Sequence, residues 1–210
     1  MEALSIDGAW LHVPRIFADS RGSLSEWFQG ADFAADLGYR LDLGQVNWSV
    51  TRRGAIRGLH VAQVPPGQAK YVACVSGAVL DVAVDVRVGS PTFGRWEGVR
   101  LDEDNQRALF IEHGLGHAFT ALTPSATVLY MCSSPWDPAT ERTVHPLDPA
   151  LGIDWPADAP PILSDRDAAA PTLAEAERTG LLPSYRGCAE HSARLRARAA
   201  VDAGLGAGTR

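Results

Sequence analysis

Between Lys70 and Cys132 the chain is a series of short apolar runs cut by glycine, proline and polar turns. KYVACVS (70–76) stops at Gly77, and AVLDVAVDVR (78–87) alternates apolar residues with small or polar ones. VGSPTFG (88–94) has turn composition, WEGVRL (96–101) resumes the strand pattern, and LDEDNQ (101–106) is a polar loop. RALFI (107–111), the turn EHGLG (112–116), HAFTAL (117–122) and TVLYMC (127–132) complete the set. Strands this short, at this regular spacing, predict an all-β sandwich or barrel.

Helical signals are few. ADFAADLG (31–38) has room for two turns and a terminal glycine cap. In TLAEAERTG (172–180), Thr172 and Glu175 have the spacing of a capping box, and Gly180 is a stop signal. AEHSARLRARAAVD (189–202) can form a helix carrying Arg194, Arg196 and Arg198, an arginine cluster that reads as solvated surface. The final GLGAGTR is expected to be disordered. The simplest organisation is one β domain over residues 1–186 with a helical or disordered tail over 187–210.

Composition narrows the class. Of 210 residues, 46% are hydrophobic and 21% charged, which suits one globular domain with a full core. A net charge of -6 argues against a nucleic-acid partner but leaves room for a nucleotide held by a few arginines. Cys74, Cys132 and Cys188 form no CxxC pair, so neither a disulfide framework nor a structural zinc site is indicated. The start MEALSIDGAW lacks the features of a signal peptide, and no apolar stretch reaches the roughly 18 residues of a membrane span. A cytoplasmic protein without membrane contact is expected.

The chemistry-bearing stretch is Arg57-Gly58-Leu59-His60, with Lys70 ten residues on in PPGQAKY (65–71). The spacing puts His60 and Lys70 on neighbouring strand positions, one able to take a proton and the other to hold a negative oxygen. That pair suits proton removal beside a carbonyl and stabilisation of the enolate. A lone strand-end histidine is more often structural, but Arg57, Lys70 and His117 nearby favour a site. A metal-binding barrel calls for His-x-His followed by Glu on one hairpin. Here Val61 and Ala62 follow His60, no glutamate occurs between His60 and Glu97, and Lys70 would repel a cation, so no metal is expected. Alternation in TVLYMC groups Val128, Tyr130 and Cys132 on one face. If that face is interior, Tyr130 is a proton donor opposite His60; periodicity leaves the face open. Asp167, in SDRDAAAP (164–171), is able to orient His60, yet on composition alone it reads as a surface turn. Trp136 is either a core residue or a stacking platform.

Taken in order, FADSRGSLSEWF (17–28), QVN (45–47), RGLH (57–60), PPGQAKY (65–71), DVAVDVRVGSPTFGRW (81–96), GLGHAF (114–119), LYMC (129–132), DPATE (137–141), LGIDWP (151–156) and LSDRDAAAP (163–171) resemble the dTDP-4-dehydrorhamnose 3,5-epimerases. The resemblance implies a cupin-like jelly-roll β-barrel and epimerisation of a dTDP-4-keto-6-deoxyhexose without a cofactor. It implies His60 as base, supported by Asp167, Tyr130 as acid on the opposite sugar face, and Lys70 as oxyanion partner. Arg21, Glu26, Gln45, Asn47, Arg57, His117, Glu141 and Arg166 match positions that contact the sugar nucleotide. A homodimer exchanging N-terminal strands is also implied. Ser23-Leu24-Ser25 stands where many members carry phenylalanines, and Met131 where many carry lysine. Both departures resemble the secondary-metabolite deoxysugar subgroup, some of which invert only C3 or only C5. Two readings from other classes are a metal-dependent cupin oxygenase or isomerase and a non-catalytic sugar-nucleotide binding module.

Overall fold

The computed structural model describes residues Met1 to Ala207. In chain order the elements are β1 (Glu2–Ala3), β2 (Ala9–His12), β3 (Ile16–Asp19), β4 (Gly22–Ser25), α1 (Gly30–Leu37), β5 (Gln45–Arg52), β6 (Ile56–Ala62) and β7 (Lys70–Ser76). They continue with β8 (Ala78–Val84), β9 (Trp96–Asp102), β10 (Ala108–Ile111), β11 (Gly116–Ala121), β12 (Ser125–Cys132), β13 (Glu141–Thr143), α2 (Asp165–Ala168), α3 (Leu173–Arg178) and α4 (Tyr185–Ala207).

Two antiparallel sheets face each other in a cupin-like jelly roll. One has the order β1-β2-β10-β7-β12-β5 and the other β13-β6-β11-β8-β9, so the barrel is two apposed sheets rather than one closed ladder. Val72, Cys74, Leu109, Ala126 and Val128 from the first meet Val79, Ala83, Leu101, Phe119 and Ala121 from the second in a fully buried core. The outer faces are covered as well. α3 and the loop through Leu151 lie over Leu59, Val61, Val82 and Val84. Phe33 and Leu37 of α1, with Leu195 and Ala199 of α4, cover Tyr71, Ala73 and Phe110. Burial on both faces is why KYVACVS and ALFI read as continuous apolar runs.

The predicted central strands and α1 lie where the apolar pattern puts them. At α3, Thr172 and Glu175 close the capping box, with Thr172 Oγ1 accepting the Glu175 N–H. Three regions differ. The N-terminal strands and most of β5 escape the pattern because β3 and β4 are exposed or nearly so, and β5 points Val46, Trp48 and Val50 outward and its polar residues inward. The last helix runs Tyr185–Ala207, including the start of the stretch expected to be disordered; residues 208–210 lie outside the described residues. That helix is docked on the jelly roll, with Cys188 and Ser192 buried and Arg196 Nε donating to Leu37 O at 3.0 Å. Arg194 and Arg198 stay exposed, as a solvated cluster should.

Candidate active site

Strand alternation aims the site residues inward from both walls. On β12, buried Ala126 and Val128 share a face with Tyr130, so the phenol points between the sheets. On β7, Lys70 shares a face with core residues Val72 and Cys74. Lys70 pairs with Cys132, and Tyr130 with Val72, so the lysine and tyrosine stand on adjoining strands of one wall. His60 and His117 are paired on the other wall. His60 and Lys70 are therefore not neighbours along a sheet, as their spacing suggests: the Pro-Pro-Gly turn carries the chain from one sheet to the other, and they face each other across the interior.

A glycine explains how Arg57 and His60 serve one cavity. Residues three apart on a regular strand point to opposite faces. Between the pairs His117↔His60 and Phe119↔Arg57 the register slips, because β6 spends one more residue than β11. This bulge, at Gly58-Leu59, restores Arg57 to the inner face while Leu59 stays in the outer core. Gly58 has φ +124, and a Cβ there would lie 2.5 Å from both Ala118 Cβ and His117 O. Only glycine fits.

The resulting cavity, about 560 Å3, is lined by Gln45, Asn47, Arg57, His60, Lys70, His117, Tyr130, Glu141, Arg166 and Asp167 among others. His60 Nε2 lies 2.9 Å from Asp167 Oδ1. Asp167 is buried in α2, whose N-cap Ser164 accepts the Asp167 N–H, and is not the surface turn that its composition suggests. Burial would raise its carboxyl, but hydrogen bonds from His60, Ser164 and the Gly58 backbone outweigh that and hold it below the usual carboxylate range. An ionised Asp167 accepts the His60 Nε2–H and leaves Nδ1 as the free basic nitrogen.

Burial pulls the Lys70 ammonium down from its usual range, against the raising effects of Cys132, Glu141 and Asp81. Burial, helped by Cys132 and Glu141, raises the Tyr130 phenol, with Arg57 and Asn47 opposing, so it is held as a proton donor. Arg57 is braced by Thr51 Oγ1 at 2.9 Å and Val50 O at 3.2 Å, and Arg166 pairs with Glu141 at 2.8 Å. Gln45 bridges Asn47 (2.7 Å) and the Trp136 backbone N–H (2.8 Å), placing the half-exposed Trp136 at the cavity edge rather than in the core.

Arg21 and Glu26 are not in this cavity. Arg21 is 88% exposed at the tip of the β3–β4 hairpin, where it pairs with Asp19, and Glu26 lines a separate pocket beside His12. Sequence reasoning missed Gln68, Phe119, Ile162 and Leu163 on the wall, and Asp81 beneath it. Asp81 is fully buried with Oδ1 2.9 Å from His117 Nε2, making a second histidine–carboxylate pair. A charged residue between Val79 and Ala83 on an inward strand face was the available signal. Among the described residues no three His, Cys, Asp or Glu side chains converge as a metal site.

The family model described as dTDP-4-dehydrorhamnose 3,5-epimerase matches residues 3–175. A Streptomyces bikiniensis protein named dTDP-4-dehydro-6-deoxyglucose 3-epimerase is 56% identical over 186 residues, covering 89% of this chain and 95% of its own length. A Mycolicibacterium smegmatis protein named dTDP-4-dehydrorhamnose 3,5-epimerase is 55% identical over 185 residues, covering 88% of this chain and 91% of its own. The crystal structure of ChmJ, a 3'-monoepimerase from Streptomyces bikiniensis in complex with dTDP-quinovose, superposes with a TM-score of 0.91 at 54% identity, covering 93% of this chain and 99% of that one.

Proposed function

The chain belongs to the dTDP-4-dehydrorhamnose 3,5-epimerase family, and from that premise we propose that it inverts a carbon beside the C4 ketone of a dTDP-4-keto-6-deoxyhexose, with His60 and Tyr130 as base and acid. The observation that carries this reading is that His60 and Tyr130 stand on opposed sheets across one cavity. A single group returning its own proton restores the starting configuration; inversion needs a donor on the other face of the ring.

His60 Nδ1 takes the proton from the carbon next to the ketone, and the C–H electron pair moves into the enolate. The imidazolium is stabilised by Asp167 through Nε2–H. Lys70 faces the C4 oxygen and holds the negative charge that exists only along the reaction path. Tyr130 then gives its proton to the same carbon from the opposite face. Arg57 and Arg166 suit the diphosphate, since a guanidinium binds phosphate oxygens by a fork of N–H donors. Trp136 at the edge offers a surface for the base.

The protein acts in the cytoplasm as a homodimer. Two features support pairing with a second copy: the outward apolar row Val46, Trp48 and Val50 on edge strand β5, and the detached β3–β4 hairpin with Ile16, Phe17 and Leu24 exposed. Exchange of that hairpin would carry Arg21 and Glu26 to the partner's cavity. Light scattering on Trp48→Asp checks this, with a monomer expected; an unchanged dimer counts against β5 as the contact.

The reaction is tested by incubating the protein with dTDP-4-keto-6-deoxyglucose in deuterated water and following C3 and C5 by NMR. Deuterium at C3, at C5 or at both assigns the centres inverted. Wash-in no faster than without enzyme would sink the proposal.

A further inference from the structure

Lys70 is 7% exposed, and among the described residues no side chain hydrogen-bonds its ammonium. Where the ammonium stands is therefore decided by the backbone that delivers it, and that backbone is held at Ala69. Ser133, the residue after β12, donates its N–H to Ala69 O at 2.9 Å and accepts the Ala69 N–H on Oγ at 2.8 Å. The Ser133 hydroxyl in turn meets His113 Nε2 at 3.2 Å.

His113 lies in the β10–β11 turn, outside the cavity lining, and is 5% exposed. On one side its ring touches Gly67 in the turn before Lys70, where a Cβ would come within 2.9 Å of Cδ2. On the other, His191 of α4 stands edge-on with ring centroids 4.7 Å apart. Burial, followed by His191 and Lys70, pushes the His113 imidazole down to about 3. With that shift the ring is neutral at physiological pH.

We propose that His113, acting through Ser133, is a positioning residue that sets where the Lys70 ammonium meets the substrate's C4 oxygen, with α4 sealing it from water. The inference rests on Lys70 being the oxyanion partner. It gives a role to a buried imidazole and a half-buried hydroxyl that the proton transfers do not use, and to the C-terminal helix.

The test is Ser133→Ala and His113→Phe in the wash-in assay, each compared with wild type. Since displacement of a catalytic group by about 1 Å can cost about 100-fold, kcat falls by roughly 10- to 100-fold while KM stays within about two-fold. Ser133→Thr, which keeps the hydroxyl, retains turnover near wild type. In a Lys70→Ala background, adding Ser133→Ala changes the residual rate by less than about two-fold, because no ammonium is left to position. An unchanged kcat in Ser133→Ala, or a further loss of about ten-fold on top of Lys70→Ala, overturns the inference. If His113→Phe does not fold, Ser133→Ala decides alone. A wild type that exchanges no proton overturns the functional reading and this inference with it; an active wild type with unaltered variants overturns only the inference.

Discussion

Replacing Gly58 by alanine tests the bulge that places Arg57 and His60 in one cavity. The new Cβ would lie 2.5 Å from Ala118 Cβ and from His117 O, where ordinary contact begins at 3.4 Å. The strand must therefore give by about 1 Å, and His60 is two residues away. Holding a non-glycine residue at φ +124 costs about 1–3 kcal/mol, and forcing a methyl into close-packed backbone costs about 1–3 kcal/mol more. For a chain of this size that sum lowers Tm by roughly 5–20 °C. A shift of about 1 Å in the base lowers turnover about 100-fold in protein that is still folded. Gly89→Ala is the control: φ there is +85, but a Cβ would meet nothing within 4 Å, so it carries the strain without the clash. Calorimetry and deuterium wash-in at 20 °C or more below the variant's midpoint measure the two effects separately. Gly58→Ala with native melting and native wash-in would refute the claim that the bulge sets the site.

Other consequences are equally direct. Asp167→Asn keeps the side chain's shape but can no longer hold the His60 tautomer or stabilise its imidazolium, so wash-in falls by roughly 100- to 10,000-fold with binding of dTDP retained. Because the Asp167 carboxyl is held below its ordinary 3.8, its contribution to stability is complete above that value and is lost as pH falls through the lower folded value; urea unfolding of Asp167→Asn between pH 5 and 2 shows a flatter acid limb. His113 acts in the same direction although its charged form is the protonated one: its pKa drops from 6.5 unfolded to about 3 folded, so the unfolded chain binds the proton first. Each pH unit lost between those values costs about 1.4 kcal/mol, and His113→Phe removes that slope in the same titration. Chelation followed by elemental analysis is expected to leave wash-in unchanged; activity that vanishes with a stoichiometric transition metal and returns with it would favour the metal-dependent reading.

Much of this molecule was legible in one dimension. The central strands and the capping box at Thr172 follow from local periodicity, because their apolar faces are buried within the same chain. β5 was illegible for the converse reason: its apolar residues point outward, so its pattern reads as inverted. Asp167 shows the same limit at the site. Ser-Asp-Arg-Asp is turn composition, and only the packing of α2 against β6 turns its carboxylate toward a histidine 107 residues away.

By itself the sequence determined the residue types and their family pattern: a histidine, a tyrosine, a lysine and several arginines in an all-β protein. It left their mutual geometry undetermined, since alternation fixes which residues share a face but not which face is inside. The tertiary structure decided that His60 opposes Lys70 and Tyr130 across a cavity, that a bulge at Gly58 returns Arg57 to it, and that Arg21 stays outside. Those facts depend on sheet pairing between residues far apart in the chain, and no local pattern encodes such pairing.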